Sequence, residues 1–312
     1  MSSNPTSHFI TLPNRPIIGS KDELTSGPLK LHYWEWKGHE PTILLCHATS
    51  FHGRCYDRII NEALHGYHVI ALDFRGHGRS QQHPPPYSFP WLAEDCLRFI
   101  EEMNLSKTKL IGIGHSAGGY SLIYAAAVAS KRLFQSLLLI DPVIMPRSIY
   151  EDDDIDLSAT DYVLRRKNQW SSVEDMISRL GTRGTFSHWP KDTLRNYCTY
   201  AVDKNFKLVC TPEGEASIYR SGSQSNSNIY PLIEQSKYIH DTPLHIVRVS
   251  PGETTGVFDQ SPTAPDLAKN FKKGKDILLE NVKHLFPMEQ PDIAIDLVKK
   301  FMKETNKISS HL

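Results

Sequence analysis

Apolar and polar positions alternate in two rhythms along this chain. "LKLHYWEWKG" (Leu29 to Gly38) alternates with period two, which predicts a half-buried strand. "PTILLCH" (Pro41 to His47), "YHVIALDF" (Tyr67 to Phe74), "KLIGIG" (Lys109 to Gly114) and "SLLLIDPVI" (Ser136 to Ile144) are short continuous apolar runs. Such runs suit strands covered on both faces. Between them lie helical patterns: "YDRIINEALHG", stopped at Gly66; "FPWLAEDCLRFIEEM" from Phe89 to Met103; and "SAGGYSLIYAAAVAS" from Ser116. Strand–helix–strand alternation predicts a mostly parallel sheet with helices on both faces.

The rhythm changes after Pro142. From Ile144 to Tyr238 the chain is polar and charge-rich, with an acidic run from Glu151 to Asp154 that reads as a solvated face. Helices are expected near Tyr162–Lys167 and Val173–Leu180. "SGSQSNSN" (Ser221 to Asn228) reads as a flexible loop. Alternation resumes at "TPLHIVRVS" and "KDILLENVKH" and ends in a helix from Asp292 to about Lys303. The expectation is therefore an α/β core of residues 1–143 and 239–312, interrupted by a helical insertion over 144–238.

Composition narrows the function classes. Lys plus Arg and Asp plus Glu both number 35, and no dense basic run occurs, which argues against nucleic acid as a partner. The five cysteines (Cys46, Cys55, Cys96, Cys198, Cys210) are odd in number and form no CxxC, so a reducing compartment is expected. The N-terminal stretch lacks a signal-peptide pattern, and no apolar run approaches the ~20 residues that span a bilayer. An intracellular soluble protein without stable membrane insertion is expected, cytoplasmic or peroxisomal. Ser310, His311 and Leu312 resemble the S-K-L address read by the peroxisomal import receptor, with histidine in place of lysine.

The candidate chemistry begins at "LIGIGHSAGGYSLIYAAA" (Leu110 to Ala127). Gly114-His115-Ser116-Ala117-Gly118 fits G-x-S-x-G, and it stands where a buried strand meets a helix. A sharp strand-to-helix turn strains the serine backbone and tolerates only small neighbours. It also aims the unpaired N–H groups of a helix start at the hydroxyl. A serine hydroxyl is a weak nucleophile without a base. Of the fifteen histidines, His284 follows the last predicted strand, at the sheet edge where Ser116 should lie. His115 should point away from the hydroxyl, and His65 and His68 lack the spacing of metal ligands.

A third group should orient the imidazole. Asp141, at the end of the strand after the serine helix, is favoured. Glu253 in "VSPGETTG" is the alternative, and Asp259 is more remote. The oxyanion would be held by the N–H groups of Ala117 and Thr49, the latter in "HATSFHGR". Trp170, His188, Trp189 and Tyr197 are aromatic candidates for the inner face of the insertion.

Four segments together resemble the α/β-hydrolase superfamily: "LLCHATSFHGR" the His-Gly loop, "VIALDFRGHGRS" the Asp-x-x-Gly-x-Gly-x-Ser segment, "GIGHSAGG" the nucleophile elbow, and "HLFPMEQPD" the histidine region. The resemblance implies a mostly parallel sheet of about eight strands, a helical cap and no cofactor. His47-Ala48 departs from the usual His-Gly. The usual aspartate after the seventh strand is missing, and relatives resembling haloalkane dehalogenases carry the acid after the sixth strand, where Asp141 stands. Serine at the elbow argues against dehalogenase or epoxide-hydrolase chemistry, which uses aspartate there.

The leading expectation is a serine hydrolase acting on a small-molecule acyl substrate, a carboxylic ester or else a thioester or lactone. A receptor on the same scaffold is the alternative from another class, because fold alone does not fix function. Hydrolysis of a carbon–carbon bond with the same residues is a further alternative.

Overall fold

The computed structural model describes residues 4–19, 23–152, 157–252 and 259–309. Eight strands form one sheet: β1 (Thr6–Ile18), β2 (Leu24–Trp36), β3 (His39–Cys46), β4 (Tyr67–Asp73), β5 (Leu110–His115), β6 (Ser136–Ile140), β7 (Leu244–Ser250) and β8 (Gly274–Glu280). Their order is β1-β2-β4-β3-β5-β6-β7-β8. β1, β2 and β4 pair antiparallel, and all later pairings are parallel.

The central strands alternate between two cores. Leu44 and Cys46 of β3 face one apolar cluster, and Ile43 and Leu45 face the other. This is why their sequences read as unbroken apolar runs. Helix α1 (Asp57–Ala63) lies between β3 and β4, α2 (Phe89–Glu102) between β4 and β5, and α3 (Ala117–Val128) between β5 and β6. The Ser88 side chain accepts from the Trp91 N–H and caps α2, whose Phe89, Leu92, Cys96, Phe99 and Ile100 are buried. Phe89 meets Tyr120 of α3 edge to face, with ring centroids 5.2 Å apart.

β1 has no counterpart among the expected strands. It contains Pro13 and Pro16, and only Leu12, Arg15 and Ile18 of its side chains are buried. Its place at the sheet edge resolves the conflict, because an edge strand can spare the N–H that proline lacks. Arg15 is drawn inward by Asp95 of α2, with Nε donating at 2.7 Å, and Arg75 grips the same carboxylate.

Between β6 and β7 the described chain adds no strand to the sheet. It folds into helices Val173–Leu180, Lys191–Tyr200, Pro212–Ser221 and Tyr230–Gln235 with 3-10 turns between them. The segment expected as a helix near Tyr162–Lys167 is instead a 3-10 turn over Leu157–Arg165. The segment read as a flexible loop is also different: Ser221 and Ser227 are buried. Ser227 Oγ donates to Ser221 O, and Ser221 Oγ accepts the Phe89 N–H at 2.9 Å. Short hydroxyl side chains there serve a tight packed turn, which composition alone does not distinguish from a solvated one.

Among the described residues no helix is long and apolar enough to cross a membrane. Glu253, the end of the acidic run and Ser310, His311 and Leu312 lie outside the described residues.

Candidate active site

The sheet brings the candidate nucleophile and acid together before any side chain acts. β5 and β6 are neighbours, with His115 opposite Ile140, so the next residues, Ser116 and Asp141, leave the sheet side by side. The Ser116 N–H donates to Ile140 O at 2.9 Å, and the Asp141 N–H donates to Val247 O at 2.7 Å.

Ser116 has φ 56° and ψ −117°. A non-glycine residue held there stores about 1–3 kcal/mol of strain, which the surrounding structure must overdetermine. The glycines make the turn sterically feasible. A Cβ on Gly118 would collide with the Cys46 carbonyl, and one on Gly114 would stand 2.6 Å from Gly118 O. Ala117 is the first residue of α3, so its N–H has no carbonyl of its own helix to bond.

His284 follows β8 and completes a chain of hydrogen bonds. Its Nε2 lies 3.0 Å from Ser116 Oγ, and its Nδ1 lies 2.6 Å from Asp141 Oδ2. A carboxylate can only accept, so Nδ1 carries the proton and Nε2 is free to receive one from the hydroxyl. Asp141 is fully buried and has φ 46°. Its other oxygen accepts from Ser261 Oγ and has Thr263 Oγ1 at 3.2 Å. Ser116 and His284 are themselves only 5% and 6% exposed.

Of the expected acids, then, the structure brings Asp141 to the imidazole. Asp259 sits nearby in another role: its backbone carbonyl faces the His284 N–H at 3.4 Å, and its carboxylate pairs with Lys283 at 3.1 Å.

The loop after β3 is held by imidazoles. His47 Nε2 accepts the Phe74 N–H at 3.0 Å, and its Nδ1 donates to Ala48 O at 2.7 Å. His77 Nε2 accepts the Ser50 N–H at 3.0 Å, and its Nδ1 donates to Arg75 O at 2.8 Å. Burial pushes His47 down to about 3 and His77 to about 4, so both stay neutral. Thr49, between these anchors, is 4% exposed, and its hydroxyl has no hydrogen-bond partner among the described residues.

His115 does point away from the Ser116 hydroxyl. Its Nε2 meets His284 O at 3.0 Å and its Nδ1 meets Tyr56 OH at 2.8 Å.

The insertion rests on this loop. His52 Nε2 donates to Tyr197 O at 3.1 Å. Asn196 Nδ2 reaches Arg54 O at 3.3 Å and Asp57 Oδ2 at 3.1 Å, and Arg54 Nη1 donates to Tyr200 OH at 3.0 Å. Trp189 and Tyr197 pack against Phe51, at 5.5 and 5.7 Å between centroids. Trp170 is buried elsewhere, under the Lys167 ammonium at 4.4 Å. His188 is exposed, which removes it from the expected inner face. It closes a one-turn 3-10 segment whose buried anchor is the next residue, Trp189.

Sequence reasoning missed Tyr56, Ser261 and Thr263. Ser261 and Thr263 lie some 120 residues from Asp141, and hydroxyl residues in a loop carry no signal of such a partner. Tyr56 carried a faint one: a tyrosine just inside the "HATSFHGRCY" segment, next to an otherwise polar turn. Among the described residues, no three histidine, cysteine or carboxylate side chains are placed to hold a metal ion.

The elbow, the order of strands and the histidine after β8 together define a known class. Residues 43–296 match the model of the alpha/beta hydrolase family, and the chain belongs to that family, an enzyme of the hydrolase class. One relative is the "Abhydrolase domain-containing protein AKT2" of Alternaria alternata, 26% identical over 235 residues, which are 64% of this chain and 85% of that protein. Among solved structures, the peroxisomal alpha-beta-hydrolase Lpx1 of Saccharomyces cerevisiae superposes with a TM-score of 0.71 at 14% identity, covering 96% of this chain and 89% of that one. E-2-(acetamidomethylene)succinate hydrolase superposes at 0.67 with 20% identity, covering 95% of this chain and all of the other. These likenesses concern the fold.

Proposed function

We propose that the protein is a serine hydrolase that cleaves a carboxylic ester, or a thioester or lactone, through an acyl-enzyme on Ser116. The observation that carries this reading is the unbroken chain from Ser116 Oγ through His284 to Asp141 at a strained elbow. Ser116 Oγ attacks the substrate carbonyl carbon while its proton passes to His284 Nε2. Asp141 stabilises the imidazolium and keeps its orientation. The oxyanion is received by the N–H groups of Ala117 and Thr49, and one such donor lowers the barrier by about 3–4 kcal/mol. His284 gives its proton to the leaving oxygen or sulfur. It then takes one from water, whose oxygen attacks the acyl carbon, and passes that proton to Ser116 Oγ as the ester bond to the serine breaks and the acid leaves.

A further fact supports the reading: among the described residues the Thr49 hydroxyl has no partner, which leaves a buried donor on the oxyanion loop. On this reading the helical segment 144–238 acts as a cap over the catalytic centre.

The test is a panel of ester and thioester substrates of graded chain length, beside labelling by a fluorophosphonate. Wild type should turn over short acyl esters repeatedly, and Ser116→Ala should lose both turnover and labelling. Undiminished labelling of that variant rejects the assignment.

A further inference from the structure

His115 and Tyr56 have no part in the proton transfers above, yet both are buried against the site, at 1% and 2% exposure. Their hydrogen bonds form one chain: the Ala48 N–H to Tyr56 OH at 3.1 Å, Tyr56 OH to His115 Nδ1 at 2.8 Å, and His115 Nε2 to His284 O at 3.0 Å.

The protons in this chain can be placed without ambiguity. The His284 carbonyl can only accept, so His115 Nε2 carries a hydrogen. Burial, reinforced by the nearby His284 ring, holds His115 well below its ordinary value, so the ring has one proton and Nδ1 is bare. Nδ1 therefore accepts from the Tyr56 hydroxyl. Burial also raises Tyr56 well above its ordinary value, so that hydroxyl keeps its proton. Its oxygen in turn accepts the Ala48 N–H. Every donor points the same way, and no member has a competing role.

The ends of the chain matter most. Ala48 immediately precedes Thr49. His284 O belongs to the residue whose ring faces Ser116. His115 is bonded covalently to Ser116. The loop for the oxyanion, the base and the nucleophile are thus spaced from one another by two side chains.

The geometry points to Tyr56 and His115 as a positioning pair that sets the distance between the oxyanion loop and the base. This inference rests on the reading of Ser116 and His284 given above. Catalytic groups displaced by about 1 Å can lose ~100-fold in rate, which is the scale on which such a pair acts.

The experiment compares Tyr56→Phe, His115→Leu, His115→Gln and the Tyr56→Phe/His115→Leu double variant with wild type and Ser116→Ala, on one short acyl ester. Melting temperature and circular dichroism report folding. Tyr56→Phe should lower kcat about tenfold and His115→Leu about 100-fold, each with little change in KM. His115→Gln, which keeps a donor and an acceptor, should recover most of the loss. The double variant should be no slower than His115→Leu, because both changes break one chain. Folded variants that keep wild-type kcat, lose only KM, or show multiplying effects overturn the pair. If His115→Leu fails to fold, Tyr56→Phe, which removes a single oxygen, decides alone. Turnover by Ser116→Ala at the wild-type rate rejects the nucleophile and the pair with it, whereas loss in Ser116→Ala beside intact pair variants rejects the pair only.

Discussion

Among the described residues there are two serine–histidine–aspartate chains, and one of them stands at an elbow. At the first, Ser116 Oγ, His284 and Asp141 are joined at 3.0 and 2.6 Å. At the second, Ser7 Oγ lies 2.8 Å from His32 Nε2, and His32 Nδ1 lies 2.7 Å from Asp73 Oδ2. By residue type, connectivity and distance the two are equivalent. His32 and Asp73 are as buried as the acid of the first site.

The backbone makes the difference. Ser116 is held at positive φ with a helix starting at the next residue. Ser7 lies within β1, where its neighbours follow a regular ladder against β2, with Ser7 opposite Trp34. The residue after it continues the strand rather than opening a helix, so no row of unpaired helix N–H groups follows this exposed hydroxyl. Its near charge is Arg79, whose Nη1 is 3.3 Å from Ser7 Oγ. Asp73 is occupied structurally as well, accepting the Gly53 N–H at 2.8 Å and the Arg79 N–H at 3.2 Å. Hydrogen-bond connectivity therefore describes both sites, while strain and aligned N–H groups distinguish them.

The sharpest way to break this contrast is at the two serines. Ser116→Ala should reduce kcat by at least ~10⁴-fold. Ser7→Ala should leave turnover and probe labelling unchanged. Labelling of Ser7 in intact protein, located by peptide mass, would make the two sites alike after all.

The aspartates come next. Asp141→Asn should lower kcat by ~10⁴-fold by disturbing the His284 tautomer. Asp73→Asn should leave kcat near the wild-type value. It weakens the bonds from His32, Gly53 and the part-buried Arg79 N–H and, like Asp141→Asn, should cost about 2–3 kcal/mol, read as a lower denaturation midpoint.

Acid should separate the two regions as well. His47 lies at about 3 and His52 and His77 at about 4 in the folded protein, all lowered by burial. The unfolded chain, with ordinary values near ~6.5, binds more protons in that interval. The stability from keeping these rings neutral is thus complete above that value and is lost as pH falls towards 4. Melting temperature should drop by on the order of 10 °C between pH 7 and pH 5. In hydrogen exchange, the amides of Ala48 and Ser50 should lose protection before those of β1 and β2. Simultaneous loss would remove the special role of the loop histidines.

The smallest effect concerns the support of the acid. Thr263→Val removes a hydroxyl that donates to Pro142 O at 2.6 Å and lies 3.2 Å from Asp141, so it should lower kcat by at most about fivefold, the size of one hydrogen bond. A larger effect on KM than on kcat would place Thr263 against substrate instead.

The contrast also shows what a sequence can reveal. β3 to β6 were readable because strands buried on both faces are apolar almost throughout, β7 and β8 because strand-like runs resume after the insertion, and the elbow because glycines at 114 and 118 are sterically required. His284 could be singled out by its place after β8. Asp141 could only be favoured over Glu253, because the choice depends on which strand lies beside β5. β1 was hidden by prolines that only an edge tolerates. Ser7, His32 and Asp73 left no trace either, since their alignment is set by register: His32 stands opposite Asp73, and Ser7 opposite Trp34.

The helix Lys191–Tyr200 sits on the turn Gly53–Tyr56, bonded through His52, Arg54 and Asn196. That turn ends in the tyrosine whose hydroxyl receives the Ala48 N–H. On the reading proposed above, an outward movement of that helix would strain the hydrogen bonds behind the Ala48 N–H, so the way in and the oxyanion loop would share one set of bonds.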